Sequence, residues 1–355
     1  MNAQTAISVR LTDLAPQLDT FREDFCAGLR HPMKQVAPKY FYDAAGSWLF
    51  DRICETEEYF PARVEKRLLR RHLGEICRLV GPRCRLVELG SGSSEKTRFL
   101  LNRLDKPAAY VPIDISREHL CASVEGLAQA YPRIEMLPVC ADYTKQFTLP
   151  EASRSHRRTV FFFPGSTIGN MDPAEALRFL RRLAREAMPG DGFLVGISLQ
   201  TDPHVLERAY NDAAGITAAF NLNLLRRARE ELGAEIDPES FTHQAVYDRR
   251  GARIEMRLVS LCDQEVRVGD EVFSFREGEY IVTEHSYKFT DAGFRRLANQ
   301  AGFRSVRGWS DRRKRFSIHY YARREAGAEG ESEPAPHLSK RLSIFPLPAV
   351  QRPPS

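Results

Sequence analysis

From about residue 85 onward, short aliphatic and β-branched runs alternate with longer segments whose apolar residues recur at helical spacing. Residues 85–89 predict a strand, 97–104 a helix, 110–113 a second strand, 120–131 a helix and 134–139 a third strand. TVFFF at 159–163 is apolar throughout, as expected of a strand buried on both faces. Residues 173–187 begin with Pro173 and place Ala176, Leu177, Phe179, Leu180 and Leu183 at helical intervals. Residues 192–198 predict a fifth strand. Repeated βα units of this kind predict an α/β fold: a mostly parallel sheet with helices on both faces.

The rhythm then breaks. Residues 203–233 predict a pair of helices with Gly215 between them. Residues 243–247, 253–262, 265–268 and 280–283 predict an antiparallel meander. The α/β pattern returns after residue 290, with a helix through Ala301 and strands near 305–309 and 316–322. A long segment, residues 200–286, is thus inserted late in the sheet. We expect residues 64–199 and 287–325 to form the sheet domain. Residues 1–63 and 200–286 are expected to form a second, α+β domain. The segment 326–355 is rich in Pro, Gly, Ser and Glu and is expected to be disordered.

Composition narrows the class. The 355 residues are 43% hydrophobic and 28% charged, ordinary for a globular enzyme. The net charge of +5 is mild, and the run RRKR at 312–315 reads as a solvated face. The insertion carries Glu230, Glu231, Glu235, Asp237 and Glu239 among its arginines, which speaks against a nucleic-acid cleft. Seven scattered cysteines, none in C-x-x-C, argue against a disulfide scaffold or zinc ribbon. No signal peptide and no apolar run of membrane-spanning length is evident, so a cytoplasmic enzyme without a membrane partner is expected.

LVELGSGSSEKT at 86–97 follows the first strand and opens a helix. Gly90 and Gly92 permit a tight turn and close approach of a ligand. Asp114 ends the second strand, where a carboxylate can accept from ribose hydroxyls. The third glycine of a dinucleotide fingerprint is replaced by Glu95, which would repel a pyrophosphate at a helix N-terminus. An NAD-dependent oxidoreductase is therefore disfavoured. With Glu88 before the turn and Asp142-Tyr143 after the third strand, the pattern resembles the Rossmann-like S-adenosylmethionine (SAM) methyltransferases. That resemblance implies a mostly parallel sheet with an antiparallel last strand.

Further motifs sharpen this. They are YFYDAAGSWLFDRICETEEYFPAR (40–63), FFFPGSTIGN (161–170), AYNDAAGITAAFNLN (209–223), IEMRL (254–258) and TEHSYKF (283–289). In this order they resemble the L-histidine N-alpha-methyltransferases of ergothioneine biosynthesis over residues 39–321. The resemblance implies a small-molecule substrate, trimethylation of the α-amine of histidine, and SAM as cofactor with no metal. It implies that Gly90, Lys96, Asp114, Asp142 and Tyr143 line the SAM site. It places Tyr42, Tyr59, Asn170 and Tyr210 at the amino-acid end of the substrate, with Asn170 and Tyr42 at the reacting centre. Glu284 and Ser286 would bind the imidazole, with Met256 beside the ring. A relative acting on a tryptophan-like substrate is the alternative that these last three residues disfavour. A monomer is expected.

YIVTEHSYKF at 280–289 brings an acid, an imidazole and a hydroxyl together. On a strand, Glu284 and Ser286 share one face and His285 takes the other. His285 is therefore expected outside the pocket. His285→Ala should keep most methyl transfer to histidine, whereas Glu284→Ala should lower kcat/KM on the order of 10²-fold, the loss of a charged hydrogen bond. Steady-state assays of the two variants check the face assignment, which fails if both lose activity equally.

Overall fold

The parallel strands order themselves around the TVFFF run. The computed structural model describes residues 9, 11–14, 20–92 and 94–325, so the expected tail at 326–355 lies outside the described residues. The chain begins with β1 (Thr12–Asp13), α1 (Phe21–Arg30), α2 (Ala44–Glu55) and α3 (Phe60–Val80). The repeat follows as β2 (Cys84–Leu89), α4 (Glu95–Leu101), β3 (Ala109–Asp114), α5 (Arg117–Ala130), β4 (Glu135–Met136), β5 (Val139–Cys140), β6 (Arg158–Phe163), α6 (Pro173–Glu186) and β7 (Gly192–Ser198). The inserted segment holds α7 (Pro203–Ala209), α8 (Ile216–Leu232), β8 (Phe241–Asp248), β9 (Arg253–Ser260), β10 (Gln264–Val268), β11 (Glu271–Phe275) and β12 (Tyr280–Tyr287). Then come α9 (Asp291–Gln300), β13 (Phe303–Ser310) and β14 (Phe316–Arg323).

The main sheet has the order β1-β5-β3-β2-β6-β7-β14-β13, with β4 beside β3. Among the described residues, only the last strand, β14, runs against its neighbours β7 and β13. Phe161 and Phe163 pack on one face of the sheet, Val160 and Phe162 on the other, which is why the run carries no polar alternation. Helix starts follow local chemistry. Asp172 and Glu175 form a capping box ahead of Pro173, and Thr290 caps α9 through Gly293 N–H.

Three expectations need correction. The strand predicted over 134–139 splits into β4 and β5 at Pro138, which has no N–H for the ladder; its carbonyl instead accepts from Thr12 N–H. The meander is a three-stranded sheet, β12-β9-β8, plus a separate hairpin of β10 with β11, a strand the sequence pattern missed. Finally, β12 does not stop at residue 283. It runs to Tyr287 through a bulge between Val282 and Glu284.

β12 is held at the carboxyl end of the parallel strands. Phe289 N–H donates to Ser198 O at 3.0 Å and Gln200 N–H to Phe289 O at 2.9 Å, tying the exit of β12 to the end of β7. Val36 N–H donates to Val282 O and Val282 N–H to Lys34 O, tying its middle to the chain that precedes Tyr42. Open α/β sheets bind ligands at this edge.

A buried ion pair locks α3 under the same edge. Glu65 is fully buried, 2.6 Å from Lys96 Nζ, and both its oxygens accept from Gly165 N–H. Gly196 on β7 makes room for it: a Cβ there would lie 2.1 Å from Glu65 Oε1 and 2.9 Å from Phe316 Cζ. Glu65 cannot swing away without leaving two donors buried. Gly196→Ala should therefore destabilise the protein by about 1–3 kcal/mol, read as a lower urea midpoint with unchanged slope.

Candidate active site

Gly90 and Gly92 both have positive φ, +69° and +47°, so the turn after β2 takes a conformation that other residues adopt only with strain. Asp114 holds this turn from the end of β3: Oδ2 accepts from Gly92 N–H at 2.9 Å and Oδ1 from Ser116 N–H at 3.0 Å. The turn opens onto a cavity of ≈ 970 Å³. Gly90, Lys96, Asp114, Asp142 and Tyr143 all stand on its wall, and so do Tyr42, Tyr59 and Asn170.

These wall residues suit an adenosyl ligand. A Cβ on Gly90 would meet the Tyr143 ring at 3.4 Å, so the glycine keeps a slot open beside an aromatic face. The buried Ser91 hydroxyl on the same wall finds no protein partner. Asp142 accepts from Thr144 N–H and hydroxyl through Oδ1 alone, leaving Oδ2 available. Lys96 also lies on the wall, but its ammonium is engaged by Glu65; burial works against its charge, and Glu65 holds its pKa above the ordinary value. Glu95, whose charge disfavours a pyrophosphate, pairs with Lys66. Glu88 is buried beneath the turn and accepts from Tyr110 OH; burial raises its carboxyl to about 7.

The remaining site residues sit behind this wall. Tyr210, Met256, Glu284 and Ser286 are not among the residues lining the cavity; Tyr210 touches Tyr59 and Glu284 touches Asn170, which are. Asn170 Nδ2 lies 3.4 Å from Glu284 Oε2, at the long end of hydrogen bonding. The rings of Tyr59 and Tyr210 meet edge-on at 5.8 Å, and Tyr210 OH lies 2.8 Å from Ser286 Oγ. Asn170 ends a 3₁₀ turn, Thr167–Asn170, pressed against β12 at Gly169, where a Cβ would lie 2.8 Å from Tyr287 O.

The bulge sets the face on which the β12 side chains emerge. Glu284 pairs with Met256 and Ser286 with Ile254, while Ile281 pairs with Leu258. Directly opposed residues share a face, so all six project together. Were Thr283 paired regularly in the ladder, Glu284 would fall in phase with Val282 instead. Thr283 Oγ1 is 2.7 Å from Asn221 Oδ1 and 3.2 Å from Met256 O. His285 lies on the far face, 3.0 Å from Glu255 Oε1 in a cluster with Arg253 and Arg257.

The comparisons with known proteins decide the family. A histidine-specific, SAM-dependent methyltransferase family matches residues 21–323. The chain belongs to that family. It is 41% identical over 298 residues to a histidine N-alpha-methyltransferase of Mycolicibacterium smegmatis, covering 82% of this chain and 92% of the relative. It is 40% identical over 305 residues to a protein of the same name from Mycobacterium tuberculosis, covering 84% and 93%. An L-tryptophan methyltransferase of Psilocybe serbica is more distant, 24% identical over 310 residues, with 80% and 84% covered. As a family member the chain is a SAM-dependent methyltransferase with the α/β sheet described above.

Electrostatics separate donors from acceptors in this family member. Burial first, then the Glu284 charge, raises the phenol of Tyr42; burial and Tyr210 do the same for Tyr59; burial and Glu284 do so for Tyr210. All three stay protonated at neutral pH and act as donors. Burial pushes Glu284 up to about 7, against the pull of Lys288. Lys288 was not assigned from the sequence, although it stands inside TEHSYKF. It is 3% exposed, with Nζ 2.9 Å from Tyr210 OH and 2.6 Å from Ser286 Oγ. Its signal was a lysine in an aromatic strand end. Phe50 was also missed; it lines the cavity, with its ring 5.8 Å from that of Tyr42 and 6.3 Å from that of Tyr59.

Glu284 gives a pH signature. Its carboxyl releases its proton near 4.5 when unfolded and near 7 when folded, so the folded state binds more protons in between and stability falls as pH rises through that window. Glu284→Gln removes the fall. The variant should be more stable than the parent at about pH 8, by on the order of 3 kcal/mol, read as a higher unfolding temperature, and converge with it toward about pH 4.5. Glu88 contributes equally to both proteins and cancels. A calorimetric pH series showing no such divergence contradicts a buried, raised Glu284.

Proposed function

We propose that this protein trimethylates the α-amino group of L-histidine to histidine betaine (hercynine), the first step of ergothioneine biosynthesis. The observation carrying this reading is that Glu284 and Ser286 project from one face of β12, Glu284 opposite Met256 and within reach of Asn170, offering a carboxylate and a hydroxyl to the two nitrogens of an imidazole. A tryptophan-like indole offers one N–H and no ring acceptor, so one of the pair would stay unsatisfied.

SAM supplies an activated methyl group on a sulfonium. The residues proposed to hold it are Gly90, Asp114, Asp142 and Tyr143, with Lys96 fixing the wall through Glu65. Tyr59 donates to the substrate carboxylate, with the Tyr210 ring edge-on beside it; the Tyr210 hydroxyl is turned toward Ser286. Asn170 stands between the two halves of the site, reaching the amine or carboxylate on one side and Glu284 on the other. Tyr42 donates toward the reacting end. The amine must lose a proton, a cost of roughly 1.4 kcal/mol per pH unit below its pKa of about 8. None of the three phenols accepts that proton at neutral pH, because burial keeps them protonated. The proton goes to solvent, and the rate comes from placing amine and methyl in line, which can supply up to about 7–11 kcal/mol.

Successive methylation turns the amine into a fixed cation. Tyr42, Phe50 and Tyr59 all line the cavity and their rings meet edge-on, an aromatic cluster suited to a quaternary ammonium, which needs no N–H donors. We propose the division of labour that the sequence suggests: residues 64–199 and 287–325 hold SAM, and residues 1–63 and 200–286 hold the amino acid. We propose a monomer as the working unit. All seven cysteines are free, in keeping with a reducing cytoplasm, and among the described residues no helix is long and apolar enough to cross a membrane.

Incubation with SAM and the standard amino acids should add one, two and three methyl masses to histidine alone in mass spectrometry. Tyr42→Phe should lower kcat about tenfold, one neutral hydrogen bond, without shifting the pH dependence. Unmethylated histidine, or methylated tryptophan, contradicts the assignment.

A further inference from the structure

Burying a lysine is costly unless its ammonium does something that an apolar residue could not. Lys288 follows β12 directly, with its backbone fixed: N–H donates to Ala252 O at 2.8 Å and O accepts from Gln200 Nε2 at 3.1 Å. Its Nζ reaches two neutral hydroxyls, Tyr210 and Ser286, and lies 4.7 Å from the centre of the Tyr210 ring. The two hydroxyls are themselves 2.8 Å apart. Three polar atoms therefore close a triangle, and only one corner carries charge.

The protons in this triangle can be counted. The ammonium has no lone pair, so it donates to both oxygens. One hydroxyl must donate to the other across the 2.8 Å contact. The phenol is the more acidic donor and the serine oxygen the better acceptor, so the proton runs from Tyr210 to Ser286. Ser286 then has both lone pairs filled, one by Lys288 and one by Tyr210, and its own O–H is the one hydroxyl proton left over, beside the third N–H of Lys288. It faces the side of Glu284 and Met256.

We infer that Lys288 is a positioning residue that makes Ser286 an obligatory hydrogen-bond donor, so that the site takes the substrate ring as neutral imidazole: its N–H donated to Glu284, its bare nitrogen accepting from Ser286. This inference rests on the proposed histidine substrate. An imidazolium would bring a second N–H against an oxygen with no free lone pair and a cation against the ammonium behind it. Glu284 acts in the opposite direction, since its carboxylate alone would favour imidazolium. The charged and titratable groups around Lys288 are Glu284, Tyr210 and, behind Tyr210, Tyr59. Burial lowers Lys288 to about 7, partly offset by Glu284, so the ammonium loses ground just above neutrality.

The test is the ring protonation of histidine bound to the full-length enzyme with S-adenosylhomocysteine. Ring-¹⁵N-labelled histidine is followed by NMR from about pH 5 to 8, a range that brackets the free imidazole pKa of about 6.5. In the parent, the bound ring should show one bare nitrogen, with its pKa at least one unit below that of free histidine. Lys288→Met should lose this shift or reverse it, because Glu284 then acts alone; Ser286→Ala, which keeps the lysine, should lose it as well. KM for histidine should rise more than kcat falls in both variants. A parent that binds imidazolium overturns the inference and leaves the proposed function standing, and this result needs no folded variant. A Lys288→Met protein that keeps the lowered ring pKa also overturns it. No binding of histidine at all overturns the proposed function and the inference together.

Discussion

The hydroxyl of Thr283 occupies the one irregular position in the strand that carries Glu284 and Ser286. It lies within hydrogen-bonding reach of Asn221 Oδ1 and Met256 O. Asn221 Nδ2 donates in turn to Arg257 O and to His243 Nδ1, which leaves the proton on His243 Nε2 to donate to Tyr210 O at 2.8 Å. Burial keeps this imidazole neutral, so it can accept at one nitrogen and donate at the other. A single chain of hydrogen bonds therefore joins the bulge, which aims Glu284 and Ser286, to the backbone of Tyr210, which meets them. Asn221, fully buried on α8, thus connects the bulge three residues before Ser286 with the backbone of Tyr210, whose hydroxyl meets Ser286.

The same region concentrates buried charge. Glu65 with Lys96 braces the SAM-side wall, and its two carboxylate oxygens are satisfied by an ammonium and a backbone N–H. Glu284 and Lys288 are different. Neither has an opposite charge in hydrogen-bond contact; each meets neutral amides or hydroxyls, and each is shifted toward its neutral form. The first pair supports the fold. The second pair is unfavourable to the empty protein, and the proposed substrate would complete it with N–H groups and an acceptor. Sites of this kind reject analogues lacking those groups more strongly than apolar pockets do.

The arrangement also explains why no residue here needs to be a strong base. The phenols around the amine end are held protonated by burial and by the Glu284 charge, which makes them dependable donors. A donor-rich, water-poor wall orients a carboxylate well. It leaves the amine lone pair free to point at the methyl group. Catalysis by placement suits repeated transfer, because a base fixed on the first N–H would be obstructed by the methyl groups that replace it.

Much of this was present in the linear pattern. The βα alternation, the buried TVFFF strand, the Gly90–Gly92 turn and the acid after the next strand follow from residue-level preferences, and they determine a parallel sheet with a ligand edge. The parity of Glu284, His285 and Ser286 is also local, since neighbouring strand residues must face opposite ways. Tertiary structure decided which face was the useful one. That depended on the bulge at Thr283, whose stability comes from Asn221 on a helix 62 residues earlier in the chain. It also decided that Lys96 spends its charge on Glu65 and that Lys288 turns inward, because a lysine's environment is set by what folds over it and not by its neighbours in sequence. Periodicity encodes which side of an element is apolar; hydrogen bonds between distant side chains set the register in which two such elements finally meet.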